Sequence, residues 1–196
     1  MSYCIWVDCD EVLCETIDEL LKLPKFKNNN ITKEDITSYY LRDIEKLNLT
    51  KDEGIHLFFS FFDSPEFYNT KPVKYAYETL TKRKKEWNKL IVVTARAEQF
   101  QEQTIKRVNI HFPNIFSDFL FMNQFKDNEK SKSELCKEKW IQLLIDDSIN
   151  NLLDVNSSWI PWILLDKPRN RNIKDTELLK RAKSRSEINI SKIFNK

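Results

Sequence analysis

Glycine is almost missing from this chain: Gly54 is the single one in 196 residues. Walker-type phosphate loops and Rossmann dinucleotide turns need several glycines for tight turns and close backbone approach to phosphate, so both are excluded. EF-hand calcium loops need a glycine at a fixed place among spaced acids, and no such run occurs. Histidine is scarce. His56 and His111 lie far apart without ligand spacing, so each is expected to be structural or on the surface. The four cysteines, Cys4, Cys9, Cys14 and Cys136, form no CxxC or zinc pattern. Three of them sit in or beside the first strand, where free buried thiols and a reducing, cytoplasmic compartment are expected. No apolar run is long enough to span a membrane, and no signal-peptide pattern opens the chain. Excess charge is missing too. The formal net charge is +2, which points neither toward nor away from polyanions, and no nucleic-acid partner is expected.

What is present is a recurrence of apolar runs of strand length: Tyr3–Val7, Leu90–Val93, Asp118–Met122, Trp140–Ile145 and Ile160–Leu165. Between them, Val73–Trp87, Glu98–Ile110, Ser131–Lys139 and Ser148–Val155 carry helical periodicity. Strands apolar on both faces that alternate with helices predict an α/β fold, a parallel sheet covered by helices in three layers. Residues 14–71 break the pattern. They hold no convincing strand, and Lys51–Phe62 is expected as an amphipathic helix behind a Thr50 N-cap. The chain thus divides into an α/β core, 1–13 and 72–196, and a helical insert, 14–71, placed where it would roof a site at the strand ends. The basic tail from Lys167 to Lys196 is expected as a solvated surface segment.

Three strand ends carry chemistry. Asp8 and Asp10 follow Val7 two residues apart, so in extended chain they point to one side while Cys9 points to the other. Two carboxylates about 4 Å apart repel by roughly 4 kcal/mol at an effective dielectric near 20, which calls for a cation or a proton. Asp146-Asp147-Ser148 ends another buried run. One acid, or Ser148, suffices as a helix cap, so the second acid is explained only if it meets Asp8 and Asp10. Four carboxylates together suit a hard, oxygen-seeking ion such as Mg2+. Thr94-Ala95-Arg96 lies past a third strand, where a hydroxyl and backbone N–H groups suit a phosphate oxygen or simply cap a helix. Lys132, ahead of the Asp146 strand, is placed to neutralise a phosphate, with Lys126, Lys130 and Lys137 as competitors.

In order and interval, Asp8-Cys9-Asp10-Glu11-Val12, Thr94, Lys132 and Asp146-Asp147 resemble the four motifs of the haloacid dehalogenase (HAD) superfamily. A closer likeness is to its 5′-nucleotidase C, deoxyribonucleotidase-like group. It is carried by Thr94-Ala95-Arg96, His111-Phe112-Pro113, Lys132-Ser133-Glu134, Ile145-Asp146-Asp147-Ser148 and Leu164 through Arg171. The resemblance implies a Rossmann-like HAD core with a small α-helical cap after the first strand. It also implies a Mg2+-dependent phosphomonoesterase acting on a small phosphorylated substrate, a nucleoside monophosphate, through an aspartyl-phosphate. Asp8 would be nucleophile and Asp10 the proton carrier. The metal would be held by Asp8, the Asp10 carbonyl and Asp147, with Asp146 direct or through water. Thr94, Ala95 and Lys132 would bind the phosphoryl group. Phe67 and Tyr68 are expected at the substrate pocket, whereas Phe58 to Phe62 are expected in the insert's own core. Arg96 either joins the pocket or braces the loop by pairing with an acid. The alternatives are a phosphatase of sugar phosphates or other small metabolites, and a catalytically idle HAD-like binding protein. Two positions depart from the group: Glu11, where relatives often carry Gly, and Arg169, where they often carry Trp.

Overall fold

The computed structural model describes residues 2–86, 88–122, 132–148 and 160–188, except for the side chains of Lys132, Ser133 and Arg185. Its strands are β1 (Cys4–Val7), β2 (Lys89–Thr94), β3 (Asp118–Phe121), β4 (Leu143–Asp146), β5 (Trp162–Leu165) and β6 (Leu179–Ala182). They form one parallel sheet in the order β3-β2-β1-β4-β5-β6. Alternation along each strand sorts its side chains into two cores. Ile5, Val7, Leu90, Val92, Leu143 and Ile145 face one side, with α5 (Ala76–Lys85) and α6 (Gln101–His111) supplying Leu80 and Val108. Trp6, Ile91, Val93, Leu144 and Trp162 face the other, against Leu135 and Cys136 of α7 (Lys132–Glu138). Helices on both faces of a parallel sheet make the three-layer α/β architecture, as the doubly apolar strands predict.

Between β1 and β2 the chain is helical: α1 (Thr16–Leu20), α2 (Pro24–Asn28), α3 (Lys51–Phe62), α4 (Pro65–Asn69) and three short 3-10 turns. Thr50 caps α3 with a reciprocal box, in which Glu53 accepts from the Thr50 N–H at 2.8 Å. Phe26, Phe61, Phe62 and Phe67 fill a core of this segment and are joined there by Phe100 from the loop after β2. Each such ring contributes about 2–3 kcal/mol by burial. Outgoing and returning chains bond each other where they leave the sheet: Glu15 N–H to Lys71 O at 2.9 Å and Val73 N–H to Leu13 O at 2.8 Å. Gly54 lies inside α3, where an added Cβ would sit 3.4 Å from the Arg42 backbone nitrogen. That is ordinary van der Waals contact with the Leu41–Asp43 turn.

Two expectations need correction. The tail is not simply a solvated surface: Leu179–Ala182 forms edge strand β6, with Leu179 and Ala182 buried. Lys180 and Arg181 between them hide the strand in the sequence, and charged residues on an edge also discourage pairing with other chains. The run from Trp140 becomes strand only at Leu143. Trp140 is 84% exposed, with φ 54°, because it terminates α7, and Ile141 N–H bonds back to Cys136 O at 3.0 Å. The helix expected over 148–155 lies outside the described residues, apart from Ser148. Among the described residues no helix is long and apolar enough to cross a membrane.

Candidate active site

Register explains how acids distant in sequence meet. Val7 pairs with Ile145, so Asp8 and Asp146 come level at the carboxyl ends of β1 and β4, and the Asp8 N–H donates to Ile145 O at 3.0 Å. From β1 the sheet runs to β2 and β3 on one side and to β4, β5 and β6 on the other. This is the switch point at which ligands enter open α/β sheets. Asp8, Asp146 and Asp147 are buried there, with one carboxylate oxygen of each within 4.8 Å of the others. At that spacing each ionised pair repels by about 3–4 kcal/mol at an effective dielectric near 20. Burial, with Asp146 and Glu11 adding to it against the pull of Arg169, pushes the Asp147 carboxyl up to about 6. Oxygen donors without histidine or thiolate fit a hard dication.

Asp10 belongs to a different network. Arg96 grips it with both arms, Nη2 to Oδ1 at 2.7 Å and Nε to Oδ2 at 3.1 Å, and the Thr16 hydroxyl donates to Oδ1 at 2.5 Å. Burial pushes the Asp10 carboxyl up, but the Arg96 charge and these hydrogen bonds outweigh it and hold Asp10 below the ordinary carboxylate value. Arg96 itself is buried beneath Phe62 and Phe67, 4.9 and 5.4 Å from the ring centres. Of the two roles read for Arg96 the brace is the one observed, and it does not border the cleft described below. Arg96→Met removes the fork and leaves Asp10 half-buried without its partner. The expected cost is about 2–3 kcal/mol, a melting temperature lower by about 5–10 °C. Arg96→Lys recovers only part of it, because a point charge cannot replace a bidentate pair. Melting curves of the two variants check this.

Glu11, unplaced by its sequence, has two jobs. Oε1 accepts the Ile17 N–H of α1 at 2.8 Å, and Oε2 pairs with Lys167 Nζ at 2.8 Å. It ties the start of the helical segment to the loop after β5. Its φ of 59° lies in the left-handed region that favours glycine. The same loop after β5 brings Arg169 onto Asp147 Oδ2, and the buried Asn170 bonds the Asp147 carbonyl at 2.9 Å. Lys167 and Asn170 were not read as site residues, and Arg169 was read only as a departure from the group at the pocket mouth or cap hinge. Their position past a strand's carboxyl end was the signal available.

On the phosphate side, Thr94 ends β2 buried, with its hydroxyl oxygen accepting the Arg96 N–H at 3.3 Å, and half-buried Ala95 follows in the bend. Lys132 begins α7, and its side chain lies outside the described residues, as do Lys126 and Lys130. Lys137 is exposed on α7.

An open cleft lies between the helical segment and the strand ends, with Asp10, Glu11 and Arg169 in its lining. Tyr39, Tyr40 and Phe58 are among its walls. Burial first, then the charges of Asp8, Asp10, Asp146 and Asp147, push the Tyr39 phenol well above its ordinary value, so it stays a protonated donor facing the acids. Phe67 and Tyr68 do not border this cleft. Phe67 turns into the aromatic core beside Phe61 and Phe62, and Tyr68, 55% exposed, reaches Gln103 on the surface. Phe61 and Phe62 are core, Phe58 and Phe59 pack against it, and Phe58, one helical turn before Phe62, also borders the cleft.

Known proteins share this fold. A haloacid dehalogenase-like hydrolase from Streptococcus pneumoniae superposes with a TM-score of 0.64 at 14% identity, over 84% of this chain and 85% of its own. CbbY from Rhodobacter sphaeroides, solved in complex with phosphate, gives 0.64 at 13% identity over 95% and 96%. At such identities the likeness is one of fold. A candidate nucleotidase of Bacillus cereus is 33% identical over 87 residues, and the match spans 45% of that protein's length and 44% of this chain. The family model for 5′ nucleotidase, deoxy (pyrimidine), cytosolic type C, matches residues 2–193 and so takes in both the acids at the strand ends and the helical segment above them. On that match the chain belongs to the cytosolic type C 5′-nucleotidase family, on a HAD-type α/β fold.

Proposed function

We propose that this family member is a Mg2+-dependent phosphomonoesterase that hydrolyses (deoxy)nucleoside 5′-monophosphates through a phosphorylated Asp8. The observation that carries the reading is an aromatic-walled cleft bordered by Asp10 and by Arg169, which pairs with Asp147 of the acid cluster. Asp8, Asp147 and Asp146 would hold the metal, with the Asp10 backbone carbonyl beside them. Bound there, Mg2+ offsets the carboxylates and lets an anionic nucleophile approach an anionic phosphate.

The protein's own groups do the rest. Asp8 attacks phosphorus in line with the leaving oxygen. Asp10 starts ionised in its Arg96 clamp, and an arriving phosphate dianion raises its affinity for a proton. It takes up a proton from solvent, gives it to the leaving alkoxide, then accepts a proton from the water that hydrolyses the aspartyl-phosphate and returns that proton to solvent. Thr94, Ala95 and Lys132 bind the phosphoryl oxygens. The leaving nucleoside occupies the cleft, where Phe58 and Tyr39 supply aromatic neighbours for a base.

A substrate panel with Mg2+ tests this. Nucleoside monophosphates are expected to give the highest kcat/KM, above sugar phosphates, 3′-phosphorylated oligonucleotides and p-nitrophenyl phosphate. Phe58→Ala is expected to raise KM for nucleoside monophosphates by about tenfold and to leave acetyl phosphate, which carries no ring, unchanged. A preference for sugar phosphates, or equal effects of Phe58→Ala on both substrates, counts against a nucleoside in the cleft.

A further inference from the structure

We infer that Arg169 is a phosphate-binding residue: it is held at the acid cluster by Asp147 and offers its remaining donors to the phosphoryl group of the substrate. The inference rests on the phosphomonoesterase reading above. Arg169 borders the cleft together with Asp10 and Tyr39, and its side chain is 11% exposed. One guanidinium nitrogen, Nη2, meets Asp147 Oδ2. Its Nε is buried and has no hydrogen-bond partner among the described residues. An unmade hydrogen bond from a buried charged donor costs about 1–3 kcal/mol or more. A counter-ion serving Asp147 alone has no need to lie in the cleft lining with a donor unspent.

Charge supports the same assignment. Three buried carboxylates and a phosphate dianion outweigh one divalent metal ion, so the loaded site needs further cations within reach. A guanidinium serves well, since its planar fork can hold a carboxylate with one nitrogen and a phosphate oxygen with another. The backbone beneath it is already fixed. Pro168 opens the 3-10 turn Pro168–Asn170, the Asn170 amide donates to Leu165 O at 2.7 Å, and Arg181 binds the Asn170 carbonyl at 3.0 Å. A cation positioned in this way loses little freedom when the ligand arrives.

Calorimetric titration of inorganic phosphate into the full chain at saturating Mg2+, and of Mg2+ alone, decides the matter. Arg169→Met is expected to weaken phosphate binding about tenfold or more, and Arg169→Lys several-fold. Arg171→Met, which removes an exposed cation two residues away, should change it less than about twofold. In turnover of p-nitrophenyl phosphate, Arg169→Met is expected to raise KM by a larger factor than it lowers kcat. Phosphate affinity unchanged in Arg169→Met once Mg2+ is saturating overturns the inference and leaves Arg169 as a support for Asp147. Absence of phosphate binding by the wild type overturns it too. If Arg169→Met does not fold, Arg169→Lys decides, and wild-type phosphate affinity in that variant is the contrary result. If the wild type takes up no Mg2+, the metal part of the proposed function fails, while the phosphate titrations still decide Arg169.

Discussion

Replacing Asp8 with Asn is expected to lower turnover of p-nitrophenyl phosphate by about 10⁴-fold or more while the protein stays folded. The two halves of this expectation have separate causes. Turnover needs the carboxylate, because an amide oxygen is too poor a nucleophile to form the phosphorylated intermediate. Folding does not need it. One bond that seats residue 8 is its backbone N–H to Ile145 O at 3.0 Å, which the substitution leaves alone. In the metal-free protein the variant also removes one of three mutually repelling buried acids. Its melting temperature in EDTA is therefore expected to equal or exceed that of the wild type. Wild-type turnover by the Asn variant would sink the covalent mechanism, and a collapsed melting curve would sink the account of how residue 8 is held.

Adding Mg2+ at pH 7.5 is expected to raise the melting temperature by about 5–10 °C at roughly a hundred times its dissociation constant, and EDTA is expected to abolish activity. The shift should shrink at pH 5. In the metal-free protein Asp147 titrates at about 6, above its ordinary 3.8, because burial and the neighbouring Asp146 disfavour its charge. A carboxyl raised in this way favours the fold fully below about pH 4, and that contribution is lost as pH rises through 6. The metal thus acts most where the ionised acid is least comfortable, and below pH 6 it must displace a proton. Asp10 runs the other way: its lowered value supports the fold at neutral pH and is lost only under stronger acid. Asp147→Asn should flatten the pH 4–6 window and remove most of the Mg2+ effect. Equal Mg2+ shifts at pH 5 and 7.5, or an undiminished shift in Asp147→Asn, would contradict the assignment of the metal to these acids.

The parallel sheet was legible because its central strands are apolar on both faces, a pattern that survives without tertiary context. β6 was not legible. With Lys180 and Arg181 between Leu179 and Ala182, its two buried side chains resemble those of any polar segment until β5 lies beside them. The acids at the strand ends were legible for a similar local reason, since a carboxylate directly after a buried run has few structural uses. Glu11 and Arg169 were not, because their partners lie far off in the chain: Lys167 is 156 residues from Glu11, and Asp147 is 22 from Arg169. Phe58 and Phe67 show the same limit within the helical segment. Both are phenylalanines at helical spacing, and only the packing of α3 and α4 on Phe100 and Arg96 sends one to the cleft and the other to the core.

By itself the amino-acid sequence determined the fold class, the helical character of residues 14–71 and the acids available for chemistry, because periodicity and strand-end position are local properties. Tertiary structure alone decided how those acids divide. Register at the β1–β4 pair gathers Asp8, Asp146 and Asp147 into one buried group, while Arg96 draws Asp10 into another. Charges act through space and not along the chain, so which cation serves which carboxylate was settled only when the strands came together.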